Sequence, residues 1–275
     1  MSALPYPPSR PLSVGEILDL AFRIYRRTLM KCLLLAAFAV IIAQLANGYF
    51  LFSGRGLKQG FFALIRDPLY LRLFVIGVLA ALVLDAAVLL RQFRMSTGGL
   101  PDGALTTAVR RAPAMFLLVV LLWLALLFCV APPLLLQGPA RWGAFALLGI
   151  VAIYVVVFFS VGVTILLVSG AGPVASLARS WRLTRGAFWR LVLIYSVAGV
   201  IFGVLYVLLG TATGFVVAVA AHGDLAMVSA ASSVVAVALG AFSRPFITAV
   251  QLTVFGDLTA RREGTDLAQR ITAVA

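Results

Sequence analysis

Apolar and polar positions alternate in blocks along this chain. Runs with almost no charge cover 31–52, 71–91, 114–136, 143–168, 189–219 and 226–256. Each is about as long as a helix needs to cross a hydrocarbon core, roughly 20 residues. Inside lipid, only helices and closed barrels satisfy every backbone polar group. The runs are continuously apolar rather than alternating with period two, which selects helices. The predicted fold is therefore all-α: a polytopic membrane bundle of six transmembrane helices. The last two runs exceed one bilayer, so tilt or a kink is expected there.

The polar blocks have their own pattern. "GEILDLAFRIYRRTLMK" from Gly15, "GALTTAVRRAPAMF" from Gly103 and "GPVASLARSWRLTRGAFWR" from Gly172 each start at glycine. Each spaces apolar residues at helical intervals, carries arginines and runs into a span. This predicts amphipathic interfacial helices before the first, third and fifth spans. It also divides the membrane domain, 13–257, into three helix-plus-hairpin units at 13–91, 102–168 and 172–256. In the first helix, Ser13 and Glu16 make a capping box, and Asp19 and Arg23 sit four apart, at pairing distance. Arg23, Arg26, Arg27, Arg110, Arg111, Arg182, Arg185 and Arg190 are the candidate contacts to anionic lipid headgroups. The competing reading is that these helices only fix topology and pack on the bundle. Residues 1–12, "MSALPYPPSRPL", form a Pro-rich tail without a signal-peptide pattern, so the first span is expected to stay as an uncleaved anchor.

Composition confirms the class. The 275 residues are 63% hydrophobic and 11% charged, against about half and a quarter in soluble domains. The net charge of +13 would suggest nucleic acid in a soluble protein. Here the cations gather at span ends, so no nucleic-acid partner is expected. Arg and Lys before the first span, after the second and fourth, and beyond the sixth far outnumber Arg55, Lys58, Arg66, Arg72 and Arg141 on the other side. The positive-inside rule then places both termini in the cytoplasm.

Three stretches occur in fixed order: "RPLSVGEILDLAFRIYRR" at the start, "SLARSWRLTRGAFWRLVLI" from Ser176, and "FGDLTARREGTDL" from Phe255. Together they resemble the bacterial membrane-domain family associated with glycerophosphoryl diester phosphodiesterases. The central stretch matches most closely. The last departs from the pattern, with Phe255-Gly256 where an aromatic pair is usual and Thr265 in place of an aromatic residue. The resemblance implies a multi-pass protein of the bacterial inner membrane. Some members carry a catalytic barrel; this chain is expected to be a stand-alone form without it, so the phosphodiesterase activity is not implied.

Candidate chemistry is sparse. The only histidine, His222, lies with Asp224 in a short turn, and the carboxylates are dispersed. Cys32 and Cys129 lack CxxC spacing. No nucleophile–base pair, metal-ligand cluster or phosphate loop is present. A non-enzyme without cofactor or metal is expected. Two charges lie inside spans, where charges are rare and often functional: Asp85 in "ALVLDAAVLL" and Arg244 in "GAFSRPF", beside the helix-kinking Pro245. Either they pair within the bundle, or Arg244 snorkels to the headgroups. Gly199, Gly203, Gly210 and Gly214 make a small-residue face on the fifth span, expected to pack on Ser229, Ser232, Ser233, Ala236 and Gly240 of the sixth. Dimerisation through that face, giving a homo-oligomer, is the alternative. The C-terminal segment, 258–275, is amphipathic. With it, Asp257, Arg261, Arg262, Glu263 and Asp266 form a candidate protein-partner site on the cytoplasmic face. The expected role is a lipid-engaging scaffold or accessory subunit of a membrane assembly. The alternative is a small-solute or lipid transporter or channel using Asp85 and Arg244, with Gln44, Asn47, Thr164 and Gln251 as further polar groups.

Overall fold

The computed structural model describes residues 6–8, 10–52, 67–220 and 225–264. Among them every regular element is a helix: α1 (Val14–Ala43), α2 (Leu45–Phe52), α3 (Pro68–Ser96), α4 (Ala104–Leu135), α5 (Pro139–Phe159), α6 (Gly162–Ser169), α7 (Pro173–Thr184), α8 (Phe188–Ala220) and α9 (Leu225–Glu263). Five helical stretches are long and apolar enough to cross a membrane: 68–96, 104–133, 140–169, 188–220 and 231–263. The predicted first span, 31–52, is not among them. It is divided at Gln44, where α1 stops and α2 begins.

The capping box forms at the start of α1. The Ser13 N–H donates to Glu16 Oε2 at 2.7 Å, and the Glu16 N–H donates to Ser13 Oγ at 3.3 Å. The Ser13 backbone bond is the first cause that holds the Glu16 carboxyl down at about 2; the Ser13 hydroxyl and Arg10 add to it. Asp19 and Arg23 share a turn without forming an ion pair. From this cap α1 runs unbroken into the bundle. Its buried stripe is Ile17, Leu20, Ala21, Ile24, Thr28, Cys32, Ala36, Ala39 and Val40. The three- and four-residue spacing never resets, so the expected in-plane helix and the start of the first run are one continuous rod. The same holds for α4, which continues through Pro113 with Ala104, Ala108, Ala112, Met115 and Leu118 buried. Only the third amphipathic segment stands alone, as α7. Gly186, at φ 82°, breaks it from α8; a side chain at that φ would be strained.

Helix α1 packs most extensively on α9 and then on α3. Two glycines permit the closest approaches. A Cβ on Gly77 of α3 would lie 2.6 Å from the Ile42 carbonyl oxygen, and one on Gly240 of α9 would lie 2.9 Å from Val40 Cγ2. Gly240 therefore serves α1, not α8. The glycine face of α8 is open: a Cβ at Gly199, Gly203, Gly210 or Gly214 meets nothing within 4 Å. The expected intramolecular packing of that face is thus corrected. The side chains α8 buries are Leu191, Ile194 and Ala198 near its start, and one turn further Phe202 packs on Phe246 of α9.

Packing is densest at the arginine-rich end. Ile17, Ile24, Ile165, Leu183, Leu191, Phe246, Leu252 and Leu258 form one buried cluster drawn from five helices. Away from it, Trp123, Leu127 and Phe128 on α4 and Val200, Val207, Phe215 and Val216 on α8 are exposed. Lipid tails are as apolar as these side chains, so nothing drives them inward.

Candidate functional site

Two polar arrangements stand out. The first is at the arginine-rich end, on the last turns of α9. The Asp257 side chain is only 3% exposed. Its carboxylate accepts the Leu12 N–H at 2.7 Å, Arg190 Nη1 at 3.0 Å and Arg261 Nε at 3.1 Å. The Leu12 carbonyl in turn accepts from Arg261 Nη2 at 2.6 Å and from Arg190. The backbone N–H and C=O of a single residue of the N-terminal segment, Leu12, are thus both clamped. Upstream, the Tyr6 hydroxyl donates to the Leu252 carbonyl at 3.2 Å, and burial raises the pKa of its phenol. Tyr6 and Pro8 lie over Gly256, where a Cβ would approach them to 3.0 and 2.9 Å. The described part of the Pro-rich tail is therefore a docked strap. The glycine that departs from the family-like pattern is what makes room for it.

The same end ties further partners together. Arg179 grips Glu263 with two bonds, 2.9 and 2.6 Å. Arg262 donates to the Arg185 carbonyl. Arg111 donates to the Leu166 carbonyl at 3.2 Å and to that of Leu167, at the end of α6. Three stretches far apart in sequence, around Leu12, around Arg179–Arg190 and around Asp257–Glu263, meet here. Asp257, Arg261, Arg262 and Glu263 spend hydrogen bonds within the chain; Asp266 lies outside the described residues. Of the candidate lipid contacts, Arg23, Arg26, Arg27, Arg110, Arg182 and Arg185 are exposed, whereas Arg111 and Arg190 are half-buried and bonded within the chain.

The second arrangement lies within the bundle. Arg244 Nη1 donates to Asp85 Oδ2, so the two intramembrane charges meet. Their side chains stay 29% and 30% exposed because they stand on the wall of a cavity of about 510 Å³. α1, α3, α6, α8 and α9 all contribute to this wall. Gln44, Ser160, Tyr206, Ser243, Thr248 and Gln251 give it hydroxyl and amide groups; Leu82, Leu89, Val163 and Ile247 give it apolar surface. Asp85 Oδ1 is buried and has no hydrogen-bond partner.

The pair is held by a bond set that the sequence reading missed. Gln92 is fully buried. Its Nε2 donates to the Pro245 carbonyl at 2.7 Å and to Thr28 Oγ1 at 3.3 Å, and its Oε1 accepts from Thr248 Oγ1 at 2.8 Å. This pins α3 and α1 to α9 one residue from Arg244. Pro245 has no N–H and weakens the ladder of α9 at that point; the Thr248 hydroxyl also bonds the Arg244 and Pro245 carbonyls, both at 3.1 Å. A signal was available: Asp85, Leu89 and Gln92 fall at i, i+4 and i+7, on one helix face. His222 and Asp224 lie outside the described residues, and no group of three or more metal-ligating side chains gathers among those described.

Comparison with protein-family models, curated proteins and solved structures returns no match.

Proposed function

We propose that this is a non-catalytic, lipid-engaging membrane protein, a scaffold or accessory subunit, that holds an amphipathic molecule in the cavity beside Asp85 and Arg244. One observation carries this reading: a cavity of about 510 Å³ between helices combines apolar walls with a partly exposed ion pair. Sites that bury small molecules are mostly apolar with a few placed polar groups, and ionisable residues in spans mark such sites more often than they serve stability.

The wider setting is proposed with it. α1 beyond Lys31 together with α2 completes a sixth crossing. The arginine-rich end, which holds Leu12 and Glu263, faces the cytoplasm of a bacterium, as cation excess there favours. The three motif stretches mark membership of the phosphodiesterase-associated membrane-domain family. Their meeting around Asp257 supports treating them as one structural unit.

Transport of a small solute or lipid is the second reading. The exposed side of the Asp85–Arg244 pair favours it, since a moving polar group needs a temporary partner. Native mass spectrometry of the purified protein tests the first reading. The wild type should retain a discrete amphiphile, and Ala236→Phe, which puts a ring into the cavity, should release it while melting normally. Retention unchanged in that variant counts against the cavity as the site. Flux across liposomes that is abolished by Asp85→Asn would favour transport instead.

A further inference from the structure

We infer a second lipid site, distinct from the intramembrane cavity: a basic groove at the start of α8 that takes the phosphate of an anionic phospholipid headgroup. It depends on the proposed function only in placing α8 across a membrane. The groove has a volume of about 870 Å³ and is lined by Arg190, Arg261 and Arg262 together with Tyr154, Phe188 and Trp189.

Charge bookkeeping points to an anion. Arg190 and Arg261 share one carboxylate, that of Asp257. Arg262 meets the Arg185 carbonyl, which is neutral. The nearby Glu263 is taken up by Arg179. Among the described residues, the three guanidinium groups of the groove thus face a single carboxylate. The groove also opens at the first turn of α8, a 33-residue helix with no acidic residue in that turn. The positive end of the helix dipole adds to the field there. Guanidinium matches phosphate oxygens in a planar, two-bond geometry.

Placement selects a lipid over a dissolved anion. The groove sits where a candidate span begins. Trp189 is 80% exposed at its edge, and the Tyr154 ring packs on Phe188 at 4.8 Å. Amphipathic rings concentrate at the level of the headgroups. A phosphate among the arginines leaves the acyl chains to run along the exposed apolar surface of α8.

The test uses the full chain in nanodiscs of mixed phosphatidylglycerol and phosphatidylcholine, with retained lipid counted by native mass spectrometry. Wild type should retain phosphatidylglycerol at least fivefold over phosphatidylcholine. Arg262→Gln should remove most of that preference and Arg262→Lys should keep part of it. Pro11→Glu should also remove it, by adding a negative charge at the exposed rim without deleting any bond to Asp257. Arg110→Gln, an equal charge loss at an exposed position away from the groove, should leave the preference intact. Ala236→Phe, which fills the other cavity, should leave it intact too. Equal losses in Arg262→Gln and Arg110→Gln would mean diffuse surface charge and overturn the site. An unchanged preference in both Arg262→Gln and Pro11→Glu would overturn it as well. Displacement by millimolar glycerol phosphate would assign the groove to a dissolved anion and overturn the lipid.

Discussion

Two carboxylates on the bundle can be compared directly. Asp257, at the arginine-rich end, is 3% exposed and takes bonds from Leu12, Arg190 and Arg261. Asp85, midway along α3, is 30% exposed, meets Arg244 and leaves one buried oxygen unbonded beside an open cavity. Both are acids surrounded by apolar helices, yet one is consumed by the fold and the other is not. A side chain with every lone pair occupied is a structural joint. An ion pair that stands partly exposed on a cavity wall is free to meet something else. The Asp257 joint, in the motif-bearing end that looks functional in sequence, is therefore part of the frame. The less conspicuous middle holds the cavity for which we propose an amphiphile.

Breaking the joint should produce the largest effect. Asp257→Ala leaves two arginines and a backbone N–H without their acceptor, and removing one member of a buried ion pair costs roughly 3–5 kcal/mol. Thermal melting in detergent should show it, together with faster proteolysis of the N-terminal strap. Gly256→Leu comes next. Its side chain would collide with Tyr6 and Pro8, already 3.0 and 2.9 Å from a bare Cβ, and overpacking costs about 1–3 kcal/mol. The matched control is Gly203→Leu on the open face of α8, with no atom within 4 Å; it should fall within about 0.5 kcal/mol of wild type. Equal losses at the two glycines would remove the contrast between packed end and open face.

Asp85→Asn should cost less than Asp257→Ala, about 1 kcal/mol, because the pair is partly exposed on its cavity side rather than enclosed. Exchanging the charges, Asp85→Arg with Arg244→Asp, should recover the melting temperature lost by either single change. The smallest effect belongs to Glu16. Its carboxyl is held at about 2, below the ordinary glutamate value. A depressed acid supports the folded state above its unfolded pKa, and that support fades as the pH falls toward 2. Hydrogen exchange at the first turn of α1 should accelerate over that acid range alone, and Glu16→Gln should abolish the pH dependence.

The comparison also shows what the sequence carries and what it hides. Helical class, most span positions and the Ser13 cap are legible because apolar runs and capping residues act locally. Asp85 and Arg244 are visible as charges out of place. The continuity of α1 is not, because a charged first half and an apolar second half look like two elements until the buried stripe from Ile17 to Val40 is traced across both. The glycines of α8 mislead for a related reason. Small-xxx-small spacing states that a close approach is permitted, and Gly77 with Ala81 and Gly240 with Ala236 share it; only the latter two faces have a helix against them. The clamp on Leu12 was out of reach: its central bond joins a backbone N–H to a carboxylate 245 residues away, and no local pattern records such a pairing.

The central claim is that the cavity beside Asp85 and Arg244 holds an amphiphile of its own, separate from the headgroup groove at the clamped end. Photolabelling tests it most directly. The protein is purified from membranes loaded with a phospholipid bearing a diazirine in its acyl chain, stripped of loosely bound lipid and irradiated, and the adducts are mapped by mass spectrometry. The account predicts adducts on the cavity wall, between Leu82 and Leu89 and between Ser243 and Gln251, that disappear in Ala236→Phe. Adducts confined to the outward faces of α4 and α8, or a cavity-wall signal that persists in Ala236→Phe, would contradict it.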